Sequence, residues 1–504
     1  MMTHWIIVPV VLPAVMGAAI VLMMRHDLLL QRVFSLAATN GLLAVSVALL
    51  ISASHAAPEM YKLGNWPAPF GIVLMLDRLS ALMVTLTAGL AVAVQLYAIG
   101  SNWDTRGRHF HALFQFQLMG ICGAFLTGDA FNLFVFFEVL LIASYGLMIH
   151  SGGKDRLRAG VQYVAFNLVG SSLFLFALAS IYSITGTLNI ADLAVKAALL
   201  PEGDAALFRV SAIMLMLVFA IKGAIVPLQF WLPATYSNAP GPVAALFAVM
   251  TKIGAYAAIR FGVMVLPPST PVTGSLIADL MLPAALVTLI IGAIGVLGAG
   301  TLSRLAAFAA IASMGTVFIA VSAFTPAATS AALYYMVHST LAGAALFLIV
   351  DLVVDRRAHD SLRTALPPIA QAGLISALFM VSAIATAGMP PLSGFIGKLL
   401  VMDALRDQAA LIWSVILVTS LILILGFARA GSTLFWKAHA SAPSDEGPSH
   451  ATESLTFVSV GMLLAGLVVM TVFAGPIIGW MDATSASLHD PSAYIAANQL
   501  PEVK

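Results

Sequence analysis

Charge is what this chain has least of. Of its 504 residues, 23 are Lys or Arg and 22 are Asp or Glu, so charged residues make up 9%, against about 25% in a soluble domain. The deficit excludes an ordinary cytosolic enzyme, because so few charges cannot coat a globule of this size. A formal net charge of +1 excludes nucleic acid as a partner, since phosphate recognition needs a concentrated basic face. There is a single cysteine, Cys122, which can form no internal disulfide and carries no information on redox compartment. No His/Cys/Asp cluster, HExxH spacing or GxxxxGK[ST] loop occurs, so no metal ion and no organic cofactor is expected.

What is abundant is apolar sequence, 61% of residues with a mean hydropathy of +1.01. A membrane-spanning helix needs about 20 consecutive apolar residues. Charges and turn residues divide the chain into fourteen such stretches, at 4–24, 29–53, 72–99, 109–127, 130–150, 159–185, 207–230, 242–264, 274–297, 300–324, 328–354, 367–402, 409–436 and 454–480. The ten-residue alternating strands of a membrane barrel are absent. The expected fold is therefore an all-α polytopic membrane protein of about 14 transmembrane helices, solvated by lipid. Met1 to Arg25 lacks a basic leading region and a small-residue cleavage site, so it reads as a first span and not a signal peptide.

Alternate loops divide the basic residues unevenly. One set, running from Arg25 and Arg32 through Arg106, Lys154, Arg156, Arg356 and Arg357 to Lys437, holds thirteen; the other, Lys62, Arg78, Lys196, Arg209, Arg260, Arg406 and Lys504, holds seven. The richer side is expected to face the cytoplasm, which places both termini outside. His439 to Glu453 reads as a flexible cytoplasmic linker, and Asp482 to Lys504 as a short external tail.

Three lysines, Lys222, Lys252 and Lys398, fall inside apolar stretches, and Glu138 is the one acid near a span centre. Each charge at that depth costs about 3 kcal/mol or more unless it pairs or meets water. A static pair between Glu138 and one lysine is the plainer reading, but three lysines cannot share one carboxylate. The surplus favours a hydrated line of titratable groups, in which partly desolvated lysines release protons readily. His338, mid-span in Tyr334-Tyr335-Met336-Val337-His338-Ser339, is either a hydrogen-bonded core histidine or a relay able to accept and donate near neutral pH. Ser339 and Thr340 beside it suit bound water. His4, His26, His55, His109, His111, His150, His359, His439, His450 and His489 fall at interfaces or loops and read as solvated.

Two spans carry helix breakers: Lys222-Gly223-Ala224-Ile225-Val226-Pro227, continuing to Trp231-Leu232-Pro233, and Gly388-Met389-Pro390-Pro391-Leu392-Ser393-Gly394-Phe395-Ile396-Gly397-Lys398. Proline frees a carbonyl upstream that needs water or a neighbour, and each break has a lysine within two turns. Spans four to eight and nine to thirteen each number five, with the broken helix fourth in each. Two odd-numbered units in series have opposite orientation, which is the pattern of a transporter built from inverted repeats.

The runs Thr127-Gly128-Asp129-Ala130-Phe131-Asn132 to Glu138, Pro240-Gly241-Pro242 to Tyr256, and Gly388-Met389-Pro390-Pro391 to Lys398 resemble the proton-translocating antiporter-like subunits shared by respiratory complex I and the multisubunit Mrp cation/proton antiporters. Similarity is greatest to the D-type subunits of the Mrp branch, and it runs through nearly the whole chain. The resemblance implies fourteen spans with two inverted five-helix repeats and a polar axis at mid-membrane. It casts Glu138 and Lys222 as the coupled acid and lysine of the first half-channel, Lys252 as the central bridging lysine, His338 as the relay histidine and Lys398 as the terminal lysine. Gln229 stands where many relatives carry histidine, so no relay is carried over to that position.

The implied organisation is 1–108 for spans one to three, 109–265 and 274–437 for the two repeats, and 438–504 for linker, last span and tail. The implied role is a secondary transporter subunit of a bacterial inner membrane, not an enzyme, moving protons in exchange for Na+ or K+ alongside Mrp subunits A, B, C, E, F and G. The alternative is a proton-pumping membrane subunit of a complex I type NADH:quinone oxidoreductase, although the chain has no residues for NADH, flavin or iron-sulfur binding.

Overall fold

The computed structural model describes residues 3–200, 205–440 and 454–500. The chain is a predominantly helical polytopic membrane protein. Its first helices are α1 (Val8–Met23), α2 (Leu28–His55), α3 (Arg78–Gly100), α4 (Phe110–Leu126), α5 (Ala130–Met148), α6 (Lys154–Thr185), α7 (Ile190–Ala198), α8 (Ala205–Lys222), α9 (Trp231–Asn238) and α10 (Gly241–Met264). There follow α11 (Leu276–Gly298), α12 (Leu302–Val321), α13 (Pro326–Arg357), α14 (Ala372–Ala387), α15 (Ser393–Ala404), α16 (Ala409–Gly431), α17 (Ser454–Val472), α18 (Ala474–His489) and α19 (Ser492–Ala497). Eleven helices among the described residues are long and apolar enough to cross a membrane. The other three expected spans are the 17-residue α4 and the two broken helices, α8 with α9 and α14 with α15.

Local sequence explains many of the helix starts. Asp27, Asp77, Asp129, Asn189, Thr301 and Thr325 each cap a helix, their side chains accepting a backbone amide from the first turn that has no intrahelical partner. α10 is the axis of the bundle, buried at every residue from Pro242 to Met264, whereas α2, α6 and α16 each bury one stripe and turn the remainder outward. At 32 residues, α13 is about 48 Å long and overreaches a hydrocarbon core of about 30 Å. Its last turns therefore lie at the end of the bundle. The two broken helices cross in opposite directions: α9 ends at Asn238 beside Arg156, and α14 begins after Gln371, beside Arg356 at that same end.

Several expectations are corrected. The loop after α2 forms a hairpin of β1 (Glu59–Lys62) antiparallel to β2 (Val73–Leu76), too short for the sequence pattern to register. The expected short tail is helical from Asp482 to His489 and from Ser492 to Ala497, and it packs on the bundle. Asp482 accepts from Ser330, His489 meets Thr329, and the Asn498 side chain donates to the Tyr494 carbonyl while Asn189 donates to its amide oxygen. Of the expected linker, residues 441–453 lie outside the described residues, as do His450 and Lys504.

Arg260, counted among loop charges, lies inside α10 at 2% exposure and makes a bidentate pair with Asp77, with Nη2 2.8 Å from Oδ1. Among histidines read as solvated, His111 and His150 are buried. His111 joins Arg32 on Asp104, at 3.0 and 2.6 Å. Burial alone would raise the Asp104 carboxyl, but hydrogen bonds from Arg32 and His111 hold it below the usual carboxylate range. His150 lies at the end of α5, where burial lowers its proton affinity although the Trp103 carbonyl is within hydrogen-bonding distance.

Candidate functional site

The five residues singled out in the sequence lie on five helices that cross the bundle in file. Glu138, on α5, is half-buried and accepts a hydrogen bond from the Ser171 hydroxyl of α6. One turn earlier on α6, Asn167 accepts from Lys222 Nζ at 3.1 Å. Among the described residues no direct ion pair joins Glu138 to Lys222. The amide and hydroxyl of α6 stand between them, and the Phe137 ring lies 5.5 Å from the ammonium. Lys222 is 5% exposed and is the last residue of α8. The chain then leaves helical geometry, and the Ile221 carbonyl accepts from the Ala224 amide and from Trp231 Nε1, both at 3.0 Å, so it is not left bare at the break.

α10 crosses α8 at this break: a Cβ on Gly254 would lie 2.6 Å from the Gly223 nitrogen and 2.6 Å from the Phe219 carbonyl oxygen. Only glycine permits that approach. Two residues before Gly254, Lys252 is 1% exposed and lines a slender cavity with Thr251, Ser313, His338, Ser339 and Thr386. Its volume of about 20 Å³ admits about one water. His338 Nδ1 lies 2.9 Å from Ser393 Oγ, and the ring also meets the Ala385 carbonyl. Ser393 opens α15, so the second break delivers a hydroxyl to the histidine.

Lys398 closes the file. Its Nζ donates at 2.8 Å to the Ala387 carbonyl, the last of α14, and at 2.8 Å to Ser420 Oγ of α16. A cation at a helix C-terminus is held by the negative end of the helix dipole as well as by the hydrogen bond. The bend leaves no room for side chains: Gly388 has φ +78°, and a Cβ on Gly394 would sit 2.1 Å from the Ala385 oxygen and 2.9 Å from His338 Nε2. Gln229 is buried, and its amide oxygen has no partner among the described residues.

Residues 127–424 match the profile of the NADH:quinone oxidoreductase/Mrp antiporter transmembrane family. The chain is also 36% identical, over 97% of its length and 96% of the relative's, to a probable D-type K(+)/H(+) antiporter subunit of Rhizobium meliloti. The chain belongs to the NADH:quinone oxidoreductase/Mrp antiporter family. A D-type Na(+)/H(+) antiporter subunit of Bacillus subtilis is 35% identical over 98% of this chain and 99% of its own. Among solved structures, a chain of the Mrp complex from Dietzia sp. is similar, with 26% identity, a TM-score of 0.87, and coverage of 98% of this chain and 99% of that one.

Sequence reading found the charged members of the file and missed its connectors: Asn167, Ser171, Ser393 and Ser420. A signal existed for two of them. Tyr163, Asn167 and Ser171 recur every four residues in an otherwise apolar run, which places them on one face of α6. Tyr163 extends that stripe to Ser144 of α5, its hydroxyl 3.0 Å from Ser144 Oγ.

Proposed function

We propose that the chain is the proton-translocating subunit of an Mrp-type antiporter, a secondary transporter and not an enzyme, in a bacterial inner membrane with both termini external. Protons move along Glu138, Ser171, Asn167, Lys222, Lys252, His338, Ser393 and Lys398 in exchange for Na+ or K+, with the other Mrp subunits completing the assembly. The regions 109–265 and 274–437 act as two inverted half-channels, each centred on its broken helix. The observation that carries this reading is that three buried lysines and a histidine follow one another across the bundle, two of them on a cavity of water size. Groups of this kind cost several kcal/mol to bury, and a scaffold would be more stable without them.

The coupling in the first half is electrostatic and indirect. One turn of α6, about 5.4 Å, is interposed, and unit charges about 5–10 Å apart attract by about 2–3 kcal/mol at an effective dielectric of 20. That is a factor of roughly 30 or more in proton occupancy, so neutralising either group shifts the proton toward Lys252.

The test is cation-dependent proton transport by the assembled complex in vesicles, with Na+, K+ and Li+ in turn, for wild type and Glu138→Ala. Loss of transport with an intact complex supports the reading, and wild-type transport in the variant overturns it. A redox pump of the complex I type would instead acidify one side on quinone reduction with no dependence on the cation.

A further inference from the structure

Of the buried acids that the axis does not use, one lines a cavity that leads toward it. Asp351, on α13, is 8% exposed; its Oδ2 accepts from Tyr97 and from Trp103 Nε1, both at 2.9 Å. Its other oxygen faces the start of α10, where a Cβ on Gly241 would lie 2.5 Å from Oδ1. It also lines a vestibule of about 420 Å³ at the basic end of the bundle, with Arg106, Lys154, Arg156, Asp155 and Asp360 on the rim.

This vestibule and the cavity at Lys252 and His338 succeed one another along the same three helices. On α13 the cavity is lined from Tyr335 to Phe347 and the vestibule from Phe347 to Val354; on α10 they are lined by Ala248 to Lys252 and by Gly241 and Ala244; on α12 by Ala306 to Ser313 and by Ser303. Phe347 is the wall they share. Gly241 and Lys252 are eleven residues apart, about 16 Å along α10.

We propose that Asp351 is the proton-collecting carboxylate of an intake that joins the axis at its centre and delivers to Lys252. The carboxylate takes a proton from vestibule water and releases it to water on the cavity side, returning to its anionic form as neutral Lys252 becomes the ammonium. Four charged groups surround it: Arg106 of the α3–α4 loop, Arg156 of α6, and Asp355 and Arg356 of α13, with Arg106 3.4 Å from Asp355. Those four carry a net charge of +2; with Lys154, Asp155 and Asp360 of the rim, four cations stand against four carboxylates, Asp351 included, so the intake as a whole is near electrical neutrality.

The inference rests on the proton axis proposed above, and its test separates the two. Cation-dependent proton transport of the assembled complex is measured for Asp351→Asn, Asp351→Glu and Lys398→Ala. Asparagine keeps an acceptor for Tyr97 and Trp103 but cannot carry a proton, so Asp351→Asn is expected to run at least tenfold slower while Asp351→Glu keeps at least half the rate. A structural role predicts the reverse, because the longer glutamate disturbs the packing more. Wild-type transport in Asp351→Asn with a slow Lys398→Ala overturns the intake alone; wild-type transport in both overturns the axis itself. Should Asp351→Asn fail to assemble, Val354→Cys in the vestibule wall decides. Modification of the assembled complex by a charged thiosulfonate, with the chain's own Cys122 buried, is expected to slow transport at least fivefold relative to the treated wild type, and no slowing overturns the proposal.

Discussion

Asn167→Ala removes the group through which Lys222 reaches the acid of the first half. The asparagine amide already donates to the Tyr163 carbonyl one turn back, at 2.9 Å, so its loss leaves α6 intact, and the change falls on the 3.1 Å bond from Lys222. A hydrogen bond to a charged, buried group is worth about 1.5–3 kcal/mol, which is a factor of roughly ten to a hundred. Cation-dependent proton flux through the whole complex in proteoliposomes should fall by that factor at unchanged subunit composition. Ser171→Ala cuts the same path at its other end, next to Glu138. Since either break severs one route, the double variant should be no slower than the slower single, a non-additivity expected of residues acting in series. Wild-type flux in Asn167→Ala, or losses that multiply in the double variant, would refute the path through α6.

Three further outcomes follow from the geometry. Gly394→Ala forces a methyl against the Ala385 carbonyl and His338; transport should be lost with assembly retained, and normal flux would show that the second break is not built so tightly. Asp77→Asn leaves Arg260 buried without its counter-charge, a penalty of about 3–5 kcal/mol, and the detergent-solubilised complex should unfold at a clearly lower temperature. Burial raises the Asp129 carboxyl to about 6, from 3.8. The native state is therefore favoured while Asp129 is protonated, and that advantage is lost as pH rises from about 4 to 6. Asp129→Asn, which keeps the helix cap, should raise thermal stability at pH 8 by up to about 3 kcal/mol and have no effect below pH 4.

The residues easiest to read in the sequence were those whose presence in lipid is expensive. Lys222, Lys252 and Lys398 interrupt apolar runs, and their depth in the bundle matches their place in the sequence. The connectors escaped because a serine in a transmembrane helix costs little: it satisfies its hydroxyl on a carbonyl one turn back, as Ser46 and Ser172 do, so Ser393 and Ser420 carry no local mark. Arg260 was misplaced for a different reason. It lies near the end of its apolar stretch, and its partner Asp77 is 183 residues away, a pairing that only tertiary structure creates. Asp104 and His111 are closer in sequence, yet the burial that joins them comes from α2 and its Arg32. The breaks were legible from their prolines and glycines, but not that Lys398 would bind the carbonyl at the end of α14.

In the proposed axis Lys252 is the one ammonium through which both half-channels pass. Lys252→Met keeps the length of the side chain and removes the proton carrier. Measured as cation-dependent proton flux per assembled complex in proteoliposomes, this variant is predicted to be inactive at every pH at which the wild type transports. Flux at the wild-type rate through Lys252→Met would contradict the account.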